Sequence, residues 1–358
     1  MQEVLNLQHL NLLQPKKKKK QKKIHGLKTG VFSRLRFIKT FEEDLEELTM
    51  ESSIFELYAP RVLSSCSTPH RMPEEPLNVD PYTRSVKIPG VAPFFTQPTL
   101  PQRFPTVTKK KIAIEPIYPS LIPLLMTAKF ARIDIRRYDV VCLRNSIRKI
   151  AANDEDFVIS VVRINSTLFL RRFAKHHVRN KADVGFQFED MCTSQSHRDF
   201  DYHQLIEGQI AENRILMMGE VDAIRRENGE SIELKSKKSN VTTQDKVDWW
   251  LQSYLTGTKS IIFGRRDRDD DMVLSKTEEF GTESMQVDRN RKMKMFNRLS
   301  SALRFLFSNV ATGQSYMLRG FRDVLTQQRC MQLFEVIDEA DKQKLTFITD
   351  ELIDRFSV

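Results

Sequence analysis

The stretch GEVDAIRRENGESIELKSK, residues 219–237, carries acid-x-acid at Glu220 and Asp222, an Asn228-Gly229 pair, then acid-x-base at Glu233 and Lys235. Asn-Gly is the strongest short-range hairpin signal. With these two as the turn, Ile224 faces Glu233, Ala223 faces Leu234 and Asp222 faces Lys235. Directly opposed residues share a face, as do i and i+2 along a strand. Glu220, Asp222, Glu233 and Lys235 are therefore expected on one face, and Val221, Ala223, Ile232 and Leu234 on the other, in a core. Three carboxylates and one ammonium on a small patch are costly unless something neutralises them. A divalent cation that prefers oxygen ligands, Mg2+ or Mn2+, removes that cost. It also activates water and offsets charge developing at phosphorus. The patch reads either as a site of metal-assisted phosphodiester or pyrophosphate hydrolysis, or as an exposed salt-bridged hairpin face.

Outward from this stretch the pattern alternates between strands and helices. DFVISVVRI and STLFLRRF read as neighbouring strands joined at Asn165-Ser166. RILMMGEVDAI and SIELKSK form another pair, and KSIIFGRRD is a short β run. Helices are expected over 141–151, 183–195, 244–256 and 289–309. The last has Met295, Leu299, Leu303, Phe307 and Val310 in a helical stripe that reads as core. Trp249-Trp250 also reads as core, and His176-His177 and His203 as ordinary packing or surface residues. The fold class is α+β, mixed β-sheets flanked by helices.

All 14 prolines precede residue 124, nine of them between Pro69 and Pro105. That stretch is expected to be extended and to wrap a surface, without regular helix or central strand. Before it, FEEDLEELTMESSIFELYAPRVL suits a charged helical segment. The chain thus divides into a basic disordered tail (1–30), a helical segment and proline-rich wrapping arm (31–109), and a single catalytic α/β domain (110–358). Eight Lys against one Glu give residues 1–30 a charge of +7, out of +10 for the chain. The block PKKKKKQKK, Pro15 to Lys23, reads as a nuclear-import or nucleic-acid patch, or as a solvated tail. Nuclear localisation, with cytoplasmic presence besides, is the expectation. No apolar run approaches the ~18 residues of a membrane span, and the N-terminus does not read as a secretory signal. The four cysteines are scattered with no CxxC, which points to a reducing compartment and away from a zinc site.

Arg144 in DVVCLRNSIRKI, GFQFE ending at Glu189, EVD, ELK, WLQSYLTG with Gln252, and GRR with Arg266 occur in this order. Arginine is the natural clamp for phosphate oxygens. Together these motifs resemble the DXO family of 5′-end RNA decapping nucleases over roughly residues 85–320. The resemblance implies a core like that of the D…(D/E)-x-K metal-dependent nucleases. It implies that Glu189, Asp222 and Glu233, with the main-chain carbonyl of Leu234, hold the divalent metal, and that Glu220 acts through its water shell. Lys235 and Gln252 would position the water or the scissile phosphate, while Arg144 and Arg266 would grip substrate phosphates. Members of that family act on RNA 5′ ends bearing a triphosphate, an unmethylated cap or an NAD cap. Some also degrade RNA 5′ to 3′, and one can dock on a larger 5′–3′ exoribonuclease. The chain departs from the pattern at Arg265, where a hydrophobic residue is expected, and in the charged run after it. The alternative is a catalytically weak RNA-binding or regulatory partner on the same scaffold.

Overall fold

The computed structural model describes residues 35–43, 54–70, 77–106, 116–117, 120–175, 183–193 and 200–358. The tail over 1–30 with its lysine block, the acidic run at 44–53 and the His176-His177 pair lie outside these.

In chain order the elements are β1 (Leu35–Phe41), α1 (Ile54–Leu57), β2 (Arg61–Pro69), α2 (Asp80–Ser85), β3 (Gln102–Arg103), β4 (Pro116–Ile117) and α3 (Ile122–Phe130). There follow β5 (Val140–Leu143), α4 (Arg144–Ala152), β6 (Phe157–Ile164), β7 (Thr167–Arg172), β8 (Ala174–Lys175), α5 (Val184–Cys192), β9 (Phe200–Ile210), β10 (Asn213–Glu220) and β11 (Ala223–Ile224). The chain closes with β12 (Ser231–Lys237), α6 (Thr243–Thr256), β13 (Ser260–Arg266), β14 (Val273–Gly281), α7 (Arg289–Asn309), β15 (Ser315–Arg322), β16 (Arg329–Val336), α8 (Glu339–Leu345) and α9 (Asp350–Phe356).

Two sheets carry the architecture. A nine-stranded sheet runs β1-β16-β15-β6-β7-β5-β10-β9-β2, and a five-stranded sheet runs β11-β12-β13-β14-β3. Both are mixed: β5 is parallel to β7 and β10, and β12 to β13. On the large sheet, successive residues feed opposite cores, as the two-residue period requires. Ile215 and Met217 of β10 face α4, α6 and α7, while Leu216 and Met218 face α3 and α9.

The helical stripe of α7 holds at Met295, Leu299 and Leu303, all buried, joined by Phe296 and Leu306. Trp249 and Trp250 are in the same core. The β6–β7 pair turns at Asn165, which takes a left-handed φ of 53°.

Three expectations are corrected. The helix foreseen from residue 141 starts at Arg144, because Val140–Leu143 is a strand buried between β7 and β10. An apolar β-branched run between parallel neighbours is the usual form of such a strand. Among the described residues of the segment foreseen as helical over 41–63, Ile54–Leu57 is helical, and Arg61–Pro69 pairs with β9. Strands β1 and β2 form the two edges of the large sheet. The proline-rich stretch does hold one short helix, α2, with proline in its first turn, where the missing N–H costs nothing. The rest of that arm reaches the second sheet. Ile224 donates its N–H to Pro93 O, and Phe95 donates to Ile224 O, both at 2.9 Å.

Candidate metal centre

The quoted stretch is not one hairpin. Its first acid ends β10 in the large sheet, and the chain bends at Val221-Asp222 to enter the small sheet as β11. The β11–β12 pairing is Ala223↔Ile232 and Ile224↔Ser231. This is two residues away from the expected register. The cause is the connection: Arg225 N bonds Glu230 O at 2.8 Å and Gly229 N bonds Arg225 O at 2.9 Å, closing a four-residue loop. Asn228 caps it by accepting from Glu230 N at 3.0 Å, and Gly229 has φ +71°. A slip of two leaves every side chain on its original face. Ala223, Ile232 and Leu234 pack with Phe188 and Cys192 of α5. Glu233 and Lys235 face α6. Val221 departs from the expected set, packing with Tyr202 and Ile224.

Glu233, only 2% exposed, is the centre of the group. Lys235 Nζ and Gln252 Nε2 both donate to its Oε1. Arg144 Nη1 lies 3.8 Å from its Oε2 and donates to the Glu220 carbonyl at 3.0 Å. Asp222, 9% exposed, accepts from Leu234 N at 2.8 Å and lies within electrostatic reach of the Glu233 carboxyl. Burial, then the Glu233 charge and that of Glu220, push the Asp222 carboxyl well above its ordinary range against Lys235. Burial also pushes Glu233 up, but Lys235 and Arg144 more than offset it and hold Glu233 low. Burial works to lower Lys235, and the two carboxylates raise it. The two carboxyls are thus pushed apart, Asp222 upward and Glu233 downward.

The sequence builds this locally. Arg144 opens α4 directly after β5, and Glu220 ends the parallel neighbour β10, so both stand at the carboxyl edge of parallel strands, where α/β folds place sites. Gly219 lets the layers close: a Cβ there would meet Thr256 Cγ2 at 2.8 Å and Arg144 Cδ at 3.6 Å. Helix α6 is fixed by a Thr242–Asp245 capping box and ends on Gly257, φ +72°. Gln252 therefore reaches Glu233 from a rigid element.

Other expected residues stand apart. Glu189 is half-buried on α5, which packs against the opposite face of β12 through Phe188. Among the described residues no three His, Cys, Asp or Glu side chains are gathered as a ready metal cage. Arg266 is turned into its own connection, with Nη1 3.8 Å from the Asp271 carboxylate and 3.5 Å from the Asp271 carbonyl. The bulge at Arg265/Arg266 gives that turn its shape. His203, expected to be ordinary, lies opposite Glu220 in the β9–β10 register and bonds Thr68 Oγ1 at 2.9 Å. Arg148 was missed, although its spacing from Arg144 on α4 is a readable signal.

The donor set fits a hard divalent cation. Two neighbouring buried carboxylates repel each other, and a 2+ ion with oxygen ligands is what such a pair accommodates. The buried Arg144 Nε, which makes no hydrogen bond among the described residues, adds a donor for an anionic ligand beside them.

Comparison with known proteins agrees with this geometry. The family described as RAI1 like PD-(D/E)XK nuclease matches residues 97–353. Decapping nuclease RAI1 of Chaetomium globosum is 26% identical over 185 residues, 43% of this chain and 47% of that protein, so the chain spans about half the length of this curated relative. The solved structure of S. pombe Rai1 superposes with a TM-score of 0.61 at 18% identity, covering 78% of this chain and 95% of that one. Candida albicans Rai1 in complex with pU5-Mn2+ gives 0.58 at 16% identity, covering 83% and 95%. K. lactis Dxo1 in complex with manganese gives 0.54 at 13%, covering 83% and 91%. The family match spans well over half of the sequence and takes in every residue of the Glu233 cluster, and the chain belongs to the RAI1-like PD-(D/E)XK nucleases.

Proposed function

We propose that this chain is a divalent-metal-dependent RNA 5′-end decapping nuclease. It hydrolyses phosphoanhydride or phosphodiester bonds of triphosphate, incompletely capped or NAD-capped RNA. The observation that carries the reading is the buried Asp222–Glu233 pair with Lys235, Gln252 and Arg144 converging on Glu233. The family and the RNA- and manganese-bound relatives support it. Asp222 and Glu233 would hold Mg2+ or Mn2+, with Glu189, Glu220 and the Leu234 carbonyl completing or orienting its shell. Such an ion supplies a low-pKa water and charge stabilisation at phosphorus.

The remaining work falls to the chain itself. Lys235 and Gln252, both bonded to Glu233, are placed to hold the attacking water and a phosphate oxygen in line. Arg144, anchored on the Glu220 carbonyl, directs its guanidinium at a substrate phosphate.

The test is product analysis with Mg2+ or Mn2+ on triphosphate, unmethylated-cap and NAD-capped forms of one RNA. Metal-dependent release of pyrophosphate or of a cap nucleotide is expected, and no turnover on any of them overturns the proposal. The second reading, a weakly catalytic RNA-binding partner able to dock on a larger 5′–3′ exoribonuclease, draws on Arg265 and on the position of Glu189. It predicts RNA affinity without metal-dependent product.

A further inference from the structure

Helix α4 places a second arginine, Arg148, one turn beyond Arg144. Residues at i and i+4 are neighbours on one helix face, and like charges there destabilise a helix. Arg148 is half-buried and lies within electrostatic reach of Arg144, Glu233, Asp248 and Asp154. Among the described residues its one hydrogen bond is a long one, Nε to Asn145 Oδ1 at 3.3 Å, and no carboxylate approaches it to ion-pair distance. The two nearby acids are engaged elsewhere: Gln244 Nε2 donates to Asp248 at 2.7 Å and to Asp154 at 3.3 Å. Burial and the neighbouring Arg144 work against its charge, and Asp248, Asp154 and Glu233 support it only from a distance. A partly buried guanidinium with no carboxylate in ion-pair contact is a costly arrangement. An anion entering the space between α4 and α6 would satisfy it.

We infer that Arg148 is a second phosphate-gripping residue, which with Arg144 clamps two linked phosphates of the RNA 5′ end. Arg144 stands over Glu233 and takes the scissile phosphate. Arg148, a turn away along the same face, takes the phosphate joined to it. The site thereby favours ends that carry a phosphoanhydride over a 5′ monophosphate. This rests on the reading that the centre receives phosphorylated RNA 5′ ends.

The experiment compares the full chain with Arg148→Gln and Arg148→Lys. Fluorescence anisotropy in chelator measures binding of one labelled RNA bearing either a 5′ triphosphate or a 5′ monophosphate. Steady-state kinetics with Mn2+ follow the triphosphate form. A lost charged contact of this kind is about tenfold in affinity. Arg148→Gln should therefore weaken triphosphate RNA about tenfold and the monophosphate form far less. KM should rise with kcat little changed, and Arg148→Lys should recover part of the loss. Equal affinity of wild type and Arg148→Gln, or the same loss on both RNAs, overturns the inference. If Arg148→Gln melts at a much lower temperature, Arg148→Lys decides: a loss that falls equally on the two RNAs then overturns the clamp. Wild-type discrimination with no product under any metal would sink the nuclease reading and leave the clamp standing.

Discussion

At the residue scale, the centre turns on how its surroundings push the Asp222 and Glu233 carboxyls in opposite directions. The opposed pair was legible because period two survives a register slip of two, so Asp222, Glu233 and Lys235 were placed on one face from spacing alone. The opposite shifts of the two carboxyls were not legible. They depend on burial by distant helices and on Arg144, which comes from another strand end. In Asp222→Asn the side-chain oxygen can still accept from Leu234 N. Asp222→Asn should leave the melting temperature within about 2 °C of wild type. It should lower kcat at least about a hundredfold, because a carboxylate for the ion is gone. Circular dichroism melts alongside RNA turnover check this, and an active Asp222→Asn enzyme would remove Asp222 from the metal set.

At the element scale, α5 and β13 show how packing sets the position of Glu189. The glycine of the GRR motif is there for Phe188: a Cβ on Gly264 would meet Phe188 Cε2 at 2.6 Å and Leu274 Cδ1 at 2.9 Å. Gly264→Ala should overpack this core, at about 1–3 kcal/mol, and shift α5 with Glu189 on it. A lower melting temperature together with a higher Mn2+ concentration for half-maximal activity is expected. Destabilisation with unchanged Mn2+ dependence would show that Glu189 takes no part. On β9, Glu207 accepts from Arg61 Nε at 2.7 Å and Tyr138 Oη at 2.8 Å. Burial works to raise its carboxyl, but these partners and Arg214 hold it below the ordinary value of 4.5. A depressed carboxyl stabilises the fold above its unfolded pKa, and that contribution is lost as pH falls through the folded one. Glu207→Gln should thus destabilise at pH 7 and match wild type at strongly acid pH, as read from melts across that range. Elements made of local pattern, such as α6, α7 and the β6–β7 pair, were readable. Strands β1 and β2 were not, because their partners β16 and β9 lie far along the chain, and nothing in a charged, proline-flanked segment announces them. The break at Val221-Asp222 was hidden for the same reason, since it depends on Pro93 and Phe95 pairing with Ile224.

At the scale of the whole molecule, charge is divided between a nearly balanced body and the first 30 residues, which carry +7 of +10. A single-stranded RNA bound by both should show two separable contributions. On the proposed function, the carboxylate centre with its arginines would act at the 5′ end and set kcat. The seven lysines of 15–23 would act on phosphates anywhere along the strand. Each lysine that neutralises a phosphate adds about 0.7 to the slope of log affinity against log salt. Deleting 15–23 should therefore flatten that slope by up to about five, if all seven are engaged. Affinity should fall most at low salt, while kcat at saturating RNA changes less than about twofold. A slope unchanged by the deletion would make the block irrelevant to RNA and leave import as its role, which a reporter fused to residues 1–30 reads directly as nuclear or diffuse signal. A fall in kcat would instead place the tail over the centre. The division also separates the two readings of the chain as a whole, because a purely RNA-binding protein would lose most of its activity with the tail, whereas a nuclease keeps its chemistry at Glu233.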